Sequence, residues 1–239
     1  YNYYLIIMIK ILFYLLPLLA VYLPDLWVRY IFKKNNKIFD DMPFTGTELG
    51  HKILKEENLE KIPINTIKGT LIDNYDPVKK EINITDKIYN KKSITSLAVV
   101  AHEIGHAIQD KENYKPLRFR QVLLKKTKLL QGIGSLLFFI GLPSIFAFTK
   151  SPFITFILGI LILGCFSTNF IIHLFTLRTE FDASFNKALP ILKKYVPSEN
   201  LKQCRSVLIA AALTYVSNSL ISILRLRILL LSFISFFRR

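Results

Sequence analysis

His102, Glu103 and His106 lie inside the apolar run Ala98-Val99-Val100-Ala101-His102-Glu103-Ile104-Gly105-His106-Ala107-Ile108-Gln109. On a helix of about 3.6 residues per turn, the two histidines stand one turn apart on the same face. Imidazoles so placed can grip one Zn²⁺ at about 2.0–2.1 Å each. Glu103 sits beside them, able to take a proton from a water activated there. As mere packing residues, three polar side chains would interrupt an apolar helix without compensation. The chemistry this pattern implies is metal-dependent hydrolysis.

A catalytic zinc site usually has three protein ligands and one open position. The chain holds four histidines, His51, His102, His106 and His173, so a third imidazole has few candidates. Arg178-Thr179-Glu180-Phe181-Asp182-Ala183-Ser184 supplies two carboxylates instead. The run Ile171 to Leu192 reads as a helix, with Leu174, Leu177, Phe181, Phe185 and Ala188 spaced near three and four. Glu180 and Ser184 then share a face, while Asp182 points away from Glu180. Glu180 is the favoured third ligand, with Asp182 as the alternative. His51 reads as surface. His173 precedes Glu180 by about 10.5 Å of helical rise, too far to assume common ligation.

These residues resemble the membrane-bound neutral zinc metallopeptidases of the bacterial YugP type. The resemblance includes Thr45-Gly46-Thr47-Glu48, Asp73-Asn74-Tyr75-Asp76-Pro77, Ile88-Tyr89 and Ser93-Ile94 ahead of the zinc helix. It continues through Glu180-Phe181-Asp182-Ala183-Ser184 and Ala211-Ala212-Leu213-Thr214-Tyr215-Val216, so it covers most of Thr45 to Val216. It implies zinc on His102 and His106, Glu103 as base, and a carboxylate of the second motif as third ligand. A wider group of similar peptidases carries Glu-x-x-x-Asp there, the Asp steadying a zinc-bound histidine. Aligning Glu180 with that Glu puts Ser184 at the Asp position, so a neutral hydroxyl replaces a charge and raises ligand basicity less. Asp182 is then a second candidate for the orienting role.

The elements that must position these residues include membrane segments. Hydrophobic residues make up 51% of the 239, high for a soluble globular chain. Leu129 to Phe148 and Phe153 to Ile172 are uncharged over about the length of a bilayer core. Tyr3 to Leu23 and Val207 to Leu224 are further candidate spans. Tyr3 to Leu23 reads as a retained anchor, not a cleaved signal, because its lysine lies within the apolar stretch and basic residues follow it. The chain begins at Tyr1 without methionine, so a few residues are expected to precede it.

Arg29 to Lys37, Arg118 to Lys128 and Arg178 to Lys194 cluster near span ends, while the hairpin between the second and third spans carries Lys150 alone. The positive-inside rule puts the catalytic parts in the cytoplasm and Lys150 outside. A net charge of +15 fits retention against anionic headgroups; with scattered charges and no nucleic-acid motif, nucleic acid is not expected as a partner. Cys165 falls in a span and Cys204 in a soluble segment, so a bridge between them is not expected.

In the soluble part, Thr47 to Leu59 reads as a helix and Lys61 to Asn65 as a loop. Thr66 to Asn74 and Lys80 to Thr85 read as strands joined at Tyr75-Asp76-Pro77. This hairpin is the candidate to hold a substrate backbone by strand addition. Ser93 or Thr95 is the expected cap of the zinc helix. His173, Tyr75 and Tyr215 are candidates for stabilising an oxyanion.

The expected fold is an α+β integral membrane protein: mainly helical, with a zincin-like His-Glu-x-x-His helix, a small β-hairpin or sheet and three to four transmembrane helices. It divides into an N-terminal anchor with a basic flank (1–37), a zincin-like catalytic region (38–128), a transmembrane hairpin (129–172), a second-motif helix (173–206) and a C-terminal transmembrane or interfacial helix (207–239). The expected function is Zn²⁺-dependent peptide-bond hydrolysis on the cytoplasmic side of a bacterial cell membrane, acting on peptides or membrane proteins in contact with the lipid bilayer. The alternatives are a membrane scaffold or chaperone-like protein retaining zinc with little turnover, and a hydrolase of non-peptide bonds.

Overall fold

The computed structural model describes residues 22–39, 42–68 and 73–214, together with Tyr4 and Leu19. The chain forms two compact units. One comprises Pro24–Arg118 and Leu177–Thr214; the other comprises Tyr1–Leu23, Phe119–Thr176 and Tyr215–Arg239. The structure is mostly helical with one three-stranded sheet.

In the first unit, helix α1 covers 22–34 and helix α2 covers Gly46–Glu56. Thr45 starts α2 by a reciprocal capping box with Glu48: its hydroxyl accepts from the Glu48 N–H, and the Glu48 carboxylate accepts from the Thr45 N–H. Strands β1 (Ile64–Ile67), β2 (Asn74–Asp76) and β3 (Glu81–Thr85) follow, then the short helix α3 (Asp86–Tyr89) and helix α4 (Ile94–Lys111). Every residue of α4 from Ile94 to Gln109 is buried. A helix covered on all sides forms the axis of a core, which here draws in Leu49, Ile53, Ile64, Ile82, Ile84, Leu192 and Leu208. Gly50 permits the close approach of α2: a Cβ there would lie 2.7 Å from Ile64 Cδ1 and 2.8 Å from Val100 Cγ1.

The sheet order is β1-β3-β2, with β2 antiparallel and β1 parallel to β3. The hairpin is therefore β2–β3, not the expected pairing of Thr66–Asn74 with Lys80–Thr85. Pro63 suggested a loop through Asn65, yet it ends just before β1, and its carbonyl accepts from Ile82 N–H at 2.9 Å. A proline at a strand's start forfeits no ladder donor that the strand needs. The hairpin turn forms where Asp76 Oδ1 accepts from the Val78 and Lys79 N–H groups, and Lys80 takes a left-handed φ of 56°.

Ser93 is the cap of α4, accepting from Ser96 N–H; Thr95 instead donates to Phe32 O and ties α4 to α1. The expected helix Ile171–Leu192 is interrupted. Helix α7 (Pro152–Phe181) gives way to a π-helical segment, Asp182–Ala188, before helix α8 (Leu189–Tyr195). Pro190 follows two residues after the widened turns and has no N–H with which to continue an α-helical ladder. Helix α9 covers 201–214.

In the second unit, helix α5 (Lys115–Leu136, reaching back into the first unit) continues through a π-helical segment, Leu137–Gly141, into helix α6 (Leu142–Thr149). Pro143 again lies two residues beyond the widened turns. Chain reversal at Lys150, φ 49°, leads into α7. The two arms run antiparallel: Phe119 stacks edge-on against Phe175 at 5.7 Å, and a Cβ on Gly134 would lie 2.8 Å from Cys165 Cβ. Nearer the tip, Gly141 faces Leu158.

Among the described residues, one helical stretch, Lys115–Thr149, is long and apolar enough to cross a bilayer, and Pro152–Thr168 is a shorter apolar helix. Most of the expected span Tyr3–Leu23 and the latter part of Val207–Leu224 lie outside the described residues. Cys165 and Cys204 are both free thiols.

Candidate metal centre

The metal-site candidates all lie in the first unit. Helix α4 presents His102 and His106 one turn apart, their rings edge to face at 4.8 Å between centroids. The last turn of α7 brings Glu180 between them. Its Oε2 lies 3.1 Å from His102 Nε2 and 3.2 Å from His106 Nε2. One donor atom from each residue falls within 4.8 Å of the other two, and all three side chains are buried. Gly105 lets the segments meet: a Cβ there would stand 2.7 Å from Ala183 O.

Glu103 points to the neighbouring side of α4, where its Oε2 accepts the Tyr75 N–H of β2 at 2.8 Å. Burial pushes its carboxyl up to about 7; the His102 ring and the Tyr75 N–H pull down, and Glu180 and Asp73 push up further. Glu180 behaves oppositely. Burial alone would raise it, but His106 and His102 more than offset that and hold it well below the usual carboxylate range. The two carboxylates are thus driven apart, Glu180 toward a permanent anion and Glu103 toward a group that exchanges protons near neutrality.

The outer nitrogens of both imidazoles are held as well. Ser184 Oγ lies 3.0 Å from His102 Nδ1 and donates to Leu208 O at 3.2 Å. Glu180 and Ser184 therefore bracket one ring from its two sides, as their shared face implied. Gln109 Oε1 lies 3.0 Å from His106 Nδ1, and Gln109 Nε2 donates to Asp182 Oδ2 at 2.8 Å. Asp182 stands outside the trio and reaches the site only through Gln109.

The other candidates fall elsewhere. His51 is exposed on α2. His173 belongs to the second unit and is not part of the trio. Tyr215 lies outside the described residues. The Tyr75 hydroxyl donates to Asp110 Oδ2 at 2.7 Å, and burial with that bond pushes its pKa well above the usual phenol range. Two participants escaped sequence reasoning: the Tyr75 backbone N–H, which no side-chain pattern reveals, and Gln109. The latter had a signal, because a glutamine three residues past His106 in an apolar run shares that histidine's face.

Three Lewis-basic atoms converging among buried side chains, with neutral acceptors behind both imidazoles, make a His₂Glu donor set of the kind that binds zinc. The model of a family described as "Putative neutral zinc metallopeptidase" matches residues 8–234. The chain belongs to that family of neutral zinc metallopeptidases. It is 31% identical over 200 residues to a Bacillus subtilis (strain 168) protein named "Putative membrane protease YugP", a match covering 83% of this chain and 85% of the relative. No solved structure matches. Zn²⁺ is the cofactor this family implies, and His102, His106 and Glu180 fit it in donor type and spacing.

Proposed function

We propose that the protein is a membrane-embedded zinc peptidase that hydrolyses peptide bonds at the cytoplasmic face, with His102, His106 and Glu180 as ligands and Glu103 as general base. The observation that carries this reading is the meeting of those three ligand atoms beside a fourth, separately held carboxylate. A structural zinc site has no use for such a group.

Bound zinc supplies Lewis acidity, polarising a carbonyl oxygen and making water nucleophilic near neutral pH. The chain's own residues do the rest. Glu103, buried beside the histidines, can take a proton at a carboxylate oxygen and return it to a leaving amine. The Tyr75 N–H fixes one of its oxygens and leaves the other for that transfer. Glu180 keeps its negative charge throughout. Burial of all four side chains excludes bulk water and strengthens each of these interactions. Strand β2, at the sheet edge beside Glu103, is the candidate to receive an extended substrate.

Membrane association is supported by the helix Lys115–Thr149 and by the relative's name. The multi-pass, cytoplasm-facing arrangement rests on the basic residues that flank the hairpin, with membrane proteins or their fragments as natural substrates.

The test compares detergent-purified wild type with Glu103→Gln for zinc content and cleavage of an unfolded protein. One zinc in each, with chelator-sensitive cleavage in wild type alone, is the expected result. Zinc in both without a difference in cleavage would favour a zinc-retaining scaffold. Absence of zinc from both would sink the metal reading.

A further inference from the structure

Gln109 is fully buried in α4, three residues beyond His106. Both hydrogens of its amide have acceptors within reach: Thr179 O at 2.9 Å and Asp182 Oδ2 at 2.8 Å. Those two acceptors set the orientation of the amide, so it is the oxygen that faces His106 Nδ1 at 3.0 Å. An amide oxygen only accepts, hence Nδ1 must bring the proton. In the neutral, metal-binding ring the nitrogen left with a lone pair is then Nε2, the one beside Glu180.

Ser184 repeats this logic at His102. Its one hydrogen goes to Leu208 O, leaving a lone pair for Nδ1–H. Asp182 is itself held, accepting from Asn186 Nδ2 at 2.7 Å. Asn186 and Gln109 thus both donate to Asp182, while the Gln109 oxygen is left to accept from His106.

We propose that Gln109, oriented by Asp182 and the Thr179 carbonyl, is a positioning residue that holds His106 in its Nδ1–H form with Nε2 directed at the metal. This deepens the zinc-peptidase reading and rests on it. Gln109 touches neither substrate nor metal; it acts through His106. A neutral amide performs here the orienting task that a carboxylate often performs at zinc sites, with Asp182 one residue further out.

The test uses the full chain in detergent and reads zinc affinity by competition with a chromogenic chelator, independently of turnover. Gln109→Met keeps the bulk but loses the strong acceptor. Its zinc dissociation constant should rise about 10- to 100-fold. Gln109→Glu alone should weaken zinc as well, because it loses both amide donors and sets a carboxylate against Asp182. Adding Asp182→Asn lets residue 182 donate to the new carboxylate while Thr179 O stays without a donor, so the double variant should recover part of the lost affinity. With histidine ¹⁵N-labelled, zinc-loaded wild type should show an exchange-protected Nδ1–H for His106 that Gln109→Met lacks. A role in packing alone predicts unchanged affinity for both single variants; that result, with tight wild-type zinc, overturns the proposal by itself. Failure of the double variant to recover, with its fold intact by circular dichroism, overturns it too. Wild type without zinc overturns the metal reading and this proposal together.

Discussion

At the scale of single residues, the site depends on two buried carboxylates that their surroundings drive in opposite directions. Glu103→Gln keeps the Tyr75 N–H contact through its amide oxygen but cannot carry a proton, so it should lower peptidase turnover by at least about 10²-fold at unchanged zinc content. The same variant exposes a pH dependence in metal-free protein. Folding raises the Glu103 pKa from 4.5 to about 7, so the folded chain keeps a proton the unfolded chain has released. That contribution to stability is complete below about 4.5 and disappears as pH rises through 7. Each tenfold change in proton affinity corresponds to about 1.4 kcal/mol. Metal-free wild type should therefore melt lower at pH 8 than at pH 5 relative to Glu103→Gln, and parallel melting curves at the two pH values would contradict the assignment. The grouping of His102, His106 and Glu180 was legible in the residue types. His102, Glu103 and His106 announce themselves by spacing, and Glu180 by sharing a helical face with Ser184. The Tyr75 N–H was not legible, because a backbone donor has no signature until the strand carrying it is placed.

At the scale of elements, α4 must hold the two proposed ligands against a segment that departs from α-helical geometry. Gly105 is where they touch, and Gly105→Ala places a methyl about 2.7 Å from Ala183 O. A carbonyl in helical backbone cannot swing aside as a flexible side chain can. The substitution should cost about 1–3 kcal/mol by overpacking and weaken zinc retention by moving Glu180 away from the histidines. Thermal unfolding with and without zinc checks both effects; an unchanged midpoint and zinc affinity would count against this contact. The start of α4 is as sensitive. Ser93 is buried, caps Ser96 N–H and donates to Asn36 Oδ1, so Ser93→Ala should cost about 1–2 kcal/mol. The sequence marked this cap and the existence of α4, but not the interruption at Asp182–Ala188. A regular 3.6-residue pattern ran through it, and the warning was Pro190, whose missing N–H is accommodated by the widened turns upstream. Pro143 stands in the same relation to Leu137–Gly141. The parallel pairing of β1 was likewise hidden, since local alternation identifies strands without saying which neighbour each will have.

At the scale of the whole molecule, the metal centre constrains how the chain can cross a membrane. His102 and His106 precede the hairpin and Glu180 follows it, so a site built from all three requires an even number of crossings between 106 and 180. If α5–α6 spans, α7 must return. The apolar stretch Pro152–Thr168 is about 25 Å long at 1.5 Å per residue, short of the roughly 30 Å hydrocarbon core. Helix α7 nevertheless continues unbroken to Phe181, and it meets α5 and the π-helical segment after it at separate points: Phe119 with Phe175, Gly134 with Cys165, Gly141 with Leu158. In such an antiparallel pair the chain reverses at Lys150. In the proposed orientation, the basic residues before α5's apolar part and after α7's stay in the cytoplasm and the turn faces outward. The prediction is made on a background in which Cys165 and Cys204 are replaced. Cells carrying Lys150→Cys should react with a membrane-impermeant maleimide from outside, and cells carrying Lys61→Cys only after permeabilisation. The reverse pattern would invert the orientation while leaving the metal site intact. Labelling of both from one side would make the hairpin re-entrant, still consistent with an even crossing count but not with two full spans.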